Sequence, residues 1–189
     1  MKLNNKMLLF HGSYTIVEKI RLEKCSDGKD FGRGFYISSN AVQARQFIPT
    51  SLAKAQRFGD ASLTQNYGFV SSFRYHDDGL KVYEFETTNR EWLWFIAQNR
   101  RPVLAKQLAG KVDSAAFDAD VIIGKIANDK TNATIIAYLN GLYGDILSER
   151  AVSFAIEELM PNKLEDQFCF LTQKAVNCLE FVEDRKYAI

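Results

Sequence analysis

The sequence predicts a single α+β domain, and three observations carry the prediction. Residues 80–86, Leu80-Lys81-Val82-Tyr83-Glu84-Phe85-Glu86, alternate apolar and polar side chains with the period of a half-buried strand. Residues 90–101 instead set Trp92, Leu93, Phe95 and Ile96 on one helical stripe, which Pro102 stops. Strand-like and helical stretches of this kind are interspersed along all 189 residues, with no internal repeat, low-complexity tract or interdomain linker. We read about six strands and four or five helices.

In order, Lys6 to Phe10 reads as a short buried strand ending at His11-Gly12-Ser13. Tyr14 to Leu22 connects, anchored by Val17, Ile20 and Leu22, and Asp27-Gly28 marks a turn. Gly32-Arg33-Gly34 then runs into a strand-like Phe35-Tyr36-Ile37, a pattern that signals close approach of a ligand or another backbone. Asn40 caps a helix from Ala41 with Val42, Ala44 and Phe47 on its apolar face, and Pro49 kinks or restarts it before a second piece, Ser51 to Phe58. Tyr67 to Tyr75 and Leu80 to Thr87 read as strands, joined into a hairpin by His76-Asp77-Asp78-Gly79. Val103 to Phe117 gives no clear periodicity. Val121-Ile122-Ile123-Gly124 is a buried strand, and Asn128-Asp129 caps a helix through Tyr143. Ser148 and Glu149 open another helix, ending near Met160-Pro161-Asn162. Asp166 to Leu171 is a strand, Thr172 to Cys178 a short helix and Leu179 to Glu183 a final strand.

Composition narrows the class. The chain is long enough to bury a core without metal or disulfide support. Its 24 basic and 23 acidic residues leave a formal charge of +1, which gives no general electrostatic pull towards nucleic acid or an anionic membrane. Cys25, Cys169 and Cys178 form no C-x-x-C pair, and His11 and His76 are the only histidines. No structural zinc site is expected, and a reducing cytosol is the simplest setting. The apolar run before His11 is too short for a signal segment, and no run approaches a membrane span. The expectation is a cytoplasmic protein.

The candidate chemistry sits at few places. His11 at a strand end is either a packed core histidine or a donor to a ligand hydroxyl. Gly12 would let the backbone meet a ligand amide, and Ser13 adds a hydroxyl. Tyr36 offers a flat face with a polar tip, and Phe47 is either a core aromatic or the second wall of a slot for a planar cationic ring. Gln167 shares a strand face with Cys169, opposite Phe168 and Phe170, and reads as a solvent-facing amide or as a grip on a sugar hydroxyl. Arg100 and Arg101 fit a solvated helix C-terminus or a phosphate contact. Asn128-Asp129-Lys130 is accounted for by capping, and nothing in the sequence supplies Cys25 with a base.

Together these segments resemble the ADP-ribosyltransferase superfamily, in its diphtheria-toxin and poly(ADP-ribose) polymerase branch with a His-Tyr-Glu signature. The chain is closer still to a small bacterial family of uncharacterised ADP-ribosyltransferase-like domains. The segments are His11–Ser13, Asp30–Tyr36, Glu91–Leu93, Asn99–Arg101, Ile123–Lys130 and Gln167–Phe170. The resemblance covers most of the chain, with residues 53–75 longer than the family pattern. It implies a split β-sandwich with peripheral helices that binds NAD as co-substrate, without a metal, in a crevice between two sheets. It implies NAD contacts from His11, Gly12, Ser13, Arg33, Gly34, Phe35, Tyr36 and Phe47, with His11 on the adenosine ribose and Tyr36 stacked on nicotinamide. The catalytic set would be His11, Tyr36 and Gln167.

Gln167 falls where the resemblance calls for glutamate. As nicotinamide leaves, positive charge develops on the ribose, and a carboxylate would stabilise it. Glutamine keeps the hydrogen bond but carries no charge and cannot act as a base. Three expectations follow: a mono-ADP-ribosyltransferase whose unidentified acceptor supplies its own base, a slow NAD hydrolase, or an NAD- or nucleotide-binding module without turnover. Related bacterial domains are toxin-like and pair with a small neutralising antitoxin protein, which is an analogy of fold.

Overall fold

The structure is a computed structural model that describes residues 2–125, 129–159 and 166–189. Among these residues seven strands form two sheets. Sheet A joins β1 (Leu8–Ser13), β3 (Tyr67–Tyr75) and β7 (Leu179–Ala188) in the order β1-β3-β7, all antiparallel. Sheet B joins β2 (Phe35–Ile37), β6 (Asp166–Phe170), β5 (Val121–Lys125) and β4 (Val82–Glu84) in that order. Its only parallel pair among the described residues is β4 with β5.

The period-2 alternation of these strands sorts the interior into three layers. Leu9, Phe35, Ile37, Phe73, Tyr75, Val121, Ile123, Phe168 and Phe170 fill the core between the sheets. The opposite faces of the sheet B strands bring Ile122 and Cys169 against helices α3 (Arg90–Arg100), α5 (Asp129–Leu139) and α6 (Glu149–Glu158). On the far side of sheet A, Phe10, Val70 and Tyr187 pack against α1 (Ala41–Gln46) and α2 (Ile48–Phe58). Each sheet is thus apolar on both faces, as a helix-covered sandwich requires. The outcome is a mixed α+β fold built on two open sheets.

Local chemistry explains most elements. Asn40 Oδ1 accepts from the N–H groups of Val42 and Gln43 at 2.9 and 3.4 Å, opening α1. Asn89, Ser148 and Thr172 cap α3, α6 and, after the four-residue α4 (Ser114–Phe117), the short α7 (Gln173–Asn177) in the same way. Pro49 lies in the first turn of α2, where its missing N–H costs nothing. Trp92, Leu93, Phe95 and Ile96 of α3 are all buried, as their spacing predicts.

Several expectations are corrected. The strand read as Lys6 to Phe10 continues through Ser13, so His11, Gly12 and Ser13 lie within β1. The hairpin predicted at His76–Gly79 does not form, because β3 and β4 belong to different sheets and Val82 pairs in parallel with Val121. The turn instead ties to the end of β3 and to the residue before β7: Tyr75 Oη donates to Asp77 Oδ1, and the His76 N–H donates to the Cys178 carbonyl. Val42 and Phe47 are exposed, and α1 buries only Ala44. The helix expected to reach Tyr143 ends at Leu139, ahead of Gly141 at φ +73°. β7 runs five residues past Glu183. The helix read to end near Met160 ends at Glu158, with Leu159 as its C-cap. The cap at Asn128 lies outside the described residues, as do the side chains of Asp129 and Lys130.

Candidate functional site

The two sheets meet edge to edge at a single bridge among the described residues. Phe10 of β1 and Ser38, just past β2, exchange both backbone hydrogen bonds, at 2.7 and 3.0 Å. The candidate residues gather around this seam.

His11 follows the bridge directly. Its ring packs on Phe35 with centroids 4.5 Å apart, and its Nδ1 lies 2.8 Å from the Tyr36 carbonyl oxygen. A carbonyl only accepts, so Nδ1 carries the proton. Desolvation pushes the imidazole below its usual 6.5, with the Tyr36 carbonyl pulling more weakly the other way. A neutral ring with Nδ1 protonated presents Nε2 as an acceptor. The expected donor to a ligand hydroxyl is therefore an acceptor from one.

Tyr36 leaves β2 on the opposite face, towards the α3 layer, so His11 touches its backbone and not its ring. The Tyr36 hydroxyl accepts from the Phe31 N–H at 2.9 Å and donates to the Gly32 carbonyl at 2.8 Å. Phe31 lies beside it nearly parallel, at 14° and 6.3 Å between centroids. Burial, and next the neighbouring Cys169 thiol, push the phenol far above the ordinary tyrosine range. The hydroxyl is a structural clasp, and the ring is what Tyr36 can offer a ligand.

Gln167 lies two residues before Cys169, which is Tyr36's direct partner in the β2–β6 register. That makes Gln167 a diagonal neighbour of Tyr36 on one sheet face, about 7–8 Å away between backbones. Gln167 is half-buried opposite Gly124, and among the described residues no hydrogen-bond partner holds its amide. The Ser13 hydroxyl, buried in β1, is likewise unpartnered there.

The two glycines have packing reasons. A Cβ on Gly12 would fall 1.7 Å from the Ala44 carbonyl oxygen, because the end of α1 lies directly on β1. A Cβ on Gly34 would fall 2.5 Å from Cys169 Sγ and 2.8 Å from the Phe170 carbonyl oxygen. The close approach signalled by Gly-x-Gly is that of β6. Arg33 is held on the carbonyls of Leu22 and Glu23, at 3.2 and 2.6 Å. Phe35 faces the intersheet core, so its side chain can act only behind His11. Phe47 is half exposed and makes no ring pair with Tyr36, whose neighbour is Phe31.

Sequence reasoning missed the surroundings of Tyr36. Arg100, read as a solvated helix end or phosphate contact, is largely buried on Asp30, with Nη2 to Oδ1 at 2.5 Å. Arg101 donates to the Leu139 carbonyl and Asn140 Oδ1. The signal was present in the adjacent Asp30-Phe31 and Asn99-Arg100 pairs, but sequence cannot show that they meet. Two shallow cavities of about 320 Å³ lie elsewhere, one between α1, α2 and the end of β7, the other between residues 18–20 and α7. Neither is lined by His11, Tyr36 or Gln167. Among the described residues no helix is long and apolar enough to cross a membrane.

A comparison with curated proteins finds no match. Residues 7–181 do match the family described as a protein of unknown function, DUF3990, and the chain belongs to that family.

Proposed function

We propose that this chain is an NAD-dependent mono-ADP-ribosyltransferase, acting as the toxin-like half of a toxin–antitoxin pair in the cytoplasm. The observation that carries the reading is the seam itself. His11 Nδ1 meets the Tyr36 carbonyl at 2.8 Å where β1 adjoins β2, and Gln167 is Tyr36's diagonal neighbour in the β2–β6 register, on the α3 side of sheet B. Around them stand groups suited to a nucleotide. The Tyr36 ring supplies a stacking face, His11 Nε2 accepts from a ribose hydroxyl, and the unpartnered Ser13 hydroxyl and Gln167 amide offer polar contacts.

In the reaction the ribose–nicotinamide C–N bond breaks, and its electron pair leaves on the nicotinamide nitrogen. An acceptor nucleophile forms the new bond to the same ribose carbon and releases its proton to its own base. Gln167 can orient the ribose through a hydrogen bond, but it adds no negative charge to the developing cation. Incubation with NAD and a bacterial lysate tests this. Nicotinamide release with labelled product is expected, and the absence of both would remove the transferase reading.

The uncharged Gln167 favours a second reading, an NAD- or nucleotide-binding module without turnover. Calorimetry separates the two: NAD binding without consumption favours the module.

A further inference from the structure

We infer that Asp30 and Arg100 are positioning residues for Tyr36, an ion pair that sets the tyrosine ring from α3 and α5 through the Phe31 N–H and the Gly32 carbonyl. The inference rests on the reading of Tyr36 as the ligand-facing ring. Arg100 Nε and Nη2 both reach Asp30 Oδ1, at 2.6 and 2.5 Å, while Nη1 reaches Asn132 Oδ1 on α5 at 2.5 Å. From the preceding position, Asn99 donates to the Asp30 carbonyl at 3.3 Å and to the Phe95 carbonyl at 3.0 Å. Asp30 is thus held by both its carboxylate and its backbone. The following two residues clasp the tyrosine: the Phe31 N–H and the Gly32 carbonyl take up both hydrogen-bonding roles of the Tyr36 hydroxyl.

The pair is buried, with side chains 7% exposed for Asp30 and 16% for Arg100. Desolvating two charges offsets much of what their attraction returns, so a buried pair gives little net stability and is better explained by the geometry that it imposes. Here that geometry ends at Tyr36. Two further ties hold the rest of the segment: Arg33 on the carbonyls of Leu22 and Glu23, and Lys54 of α2 on Ser26 Oγ at 2.9 Å. The ion pair and Asn99 are the ties that reach Asp30, whose peptide with Phe31 supplies the N–H that holds the phenol.

Removing only Arg100 would leave a buried unpaired carboxylate and unfold or distort the chain. The informative variant is Asp30→Asn/Arg100→Gln, in which both charges are gone, with Asn132→Ala as a milder second variant. Both are compared with wild type as folded proteins by thermal melting. The protein is labelled with 3-fluorotyrosine, and the Tyr36 ¹⁹F resonance is assigned by its loss in Tyr36→Phe. The expected result is that this resonance moves towards the solvent-exposed position in both variants while those of the other seven tyrosines stay put. An unmoved Tyr36 resonance in the folded variants overturns the inference.

NAD titration is the second arm. The double variant should weaken binding about tenfold, within the span for residues coupled by contact, and should add no further loss in a Tyr36→Phe background. An equal loss in that background overturns the inference. If wild type binds no NAD, the reading of the site falls, and the ¹⁹F arm alone decides whether the pair positions Tyr36.

Discussion

Replacing Gly12 with alanine would set a methyl carbon 1.7 Å from the carbonyl oxygen of Ala44, where α1 lies on β1. The obstacle is backbone against backbone, so no side-chain rotation relieves it. Either α1 slides outwards or β1 bows, and both disturb the layer that buries Ala44, Ile48 and Val70. Overpacking a filled site costs about 1–3 kcal/mol, and a contact this short belongs at the top of that range. A chain of this length loses roughly 2–4 °C of melting temperature per kcal/mol, so a fall of about 6–12 °C is expected. Calorimetric or circular-dichroism melting without ligand reads it directly. The experiment also separates two reasons for the glycine. If Gly12 served only to admit a ligand amide, the ligand-free protein would melt within about 1 °C of wild type, and that result would refute the packing argument.

Acid should destabilise the protein through His11. Its folded-state pKa lies below 6.5, so between that value and 6.5 the unfolded chain binds the extra proton; the stability present above 6.5 is lost as pH falls through this window. Melting temperature should drop from about pH 7.5 to about pH 5.5, and drop less in His11→Gln; equal drops in the two proteins would contradict the assignment. Gln167→Glu should raise NAD hydrolysis above the wild-type rate by restoring a charge beside the reacting ribose, and an unchanged rate would mean that Gln167 does not face it. Trp92→Ala, which empties a fully buried site and frees the Lys125 carbonyl it now caps at 3.0 Å, should cost about 3–5 kcal/mol in denaturant unfolding, and a loss under about 1 kcal/mol would contradict the α3 packing.

Where local pattern and tertiary partner agree, the sequence was readable. The stripe on α3, the caps at Asn40 and Ser148, and the alternation that puts Gln167 with Cys169 all follow from spacing alone. The hairpin failed because turn chemistry at Asp77–Gly79 reports that the chain bends and says nothing of which strand receives it. The charged run Glu183–Lys186 looked like the end of a strand, yet an edge strand with one solvated side carries such residues readily. Helical spacing puts Phe47 on the apolar face of the first helix, but α1 ends at that residue and α2 restarts the count at Ile48, which leaves Phe47 half exposed. At the site, the meeting of His11 with the backbone of β2 was legible only as an order of motifs. The direction of its hydrogen bond, and the clasp on Tyr36, depend on contacts between residues that no spacing rule connects.

The central claim is that the seam at His11, Tyr36 and Gln167 is a nucleotide site. It is tested most directly by titrating NAD calorimetrically into wild type and into Tyr36→Ala. The account predicts saturable binding to wild type that Tyr36→Ala loses while remaining folded. An absence of binding to wild type, or equal binding to both proteins, would contradict it.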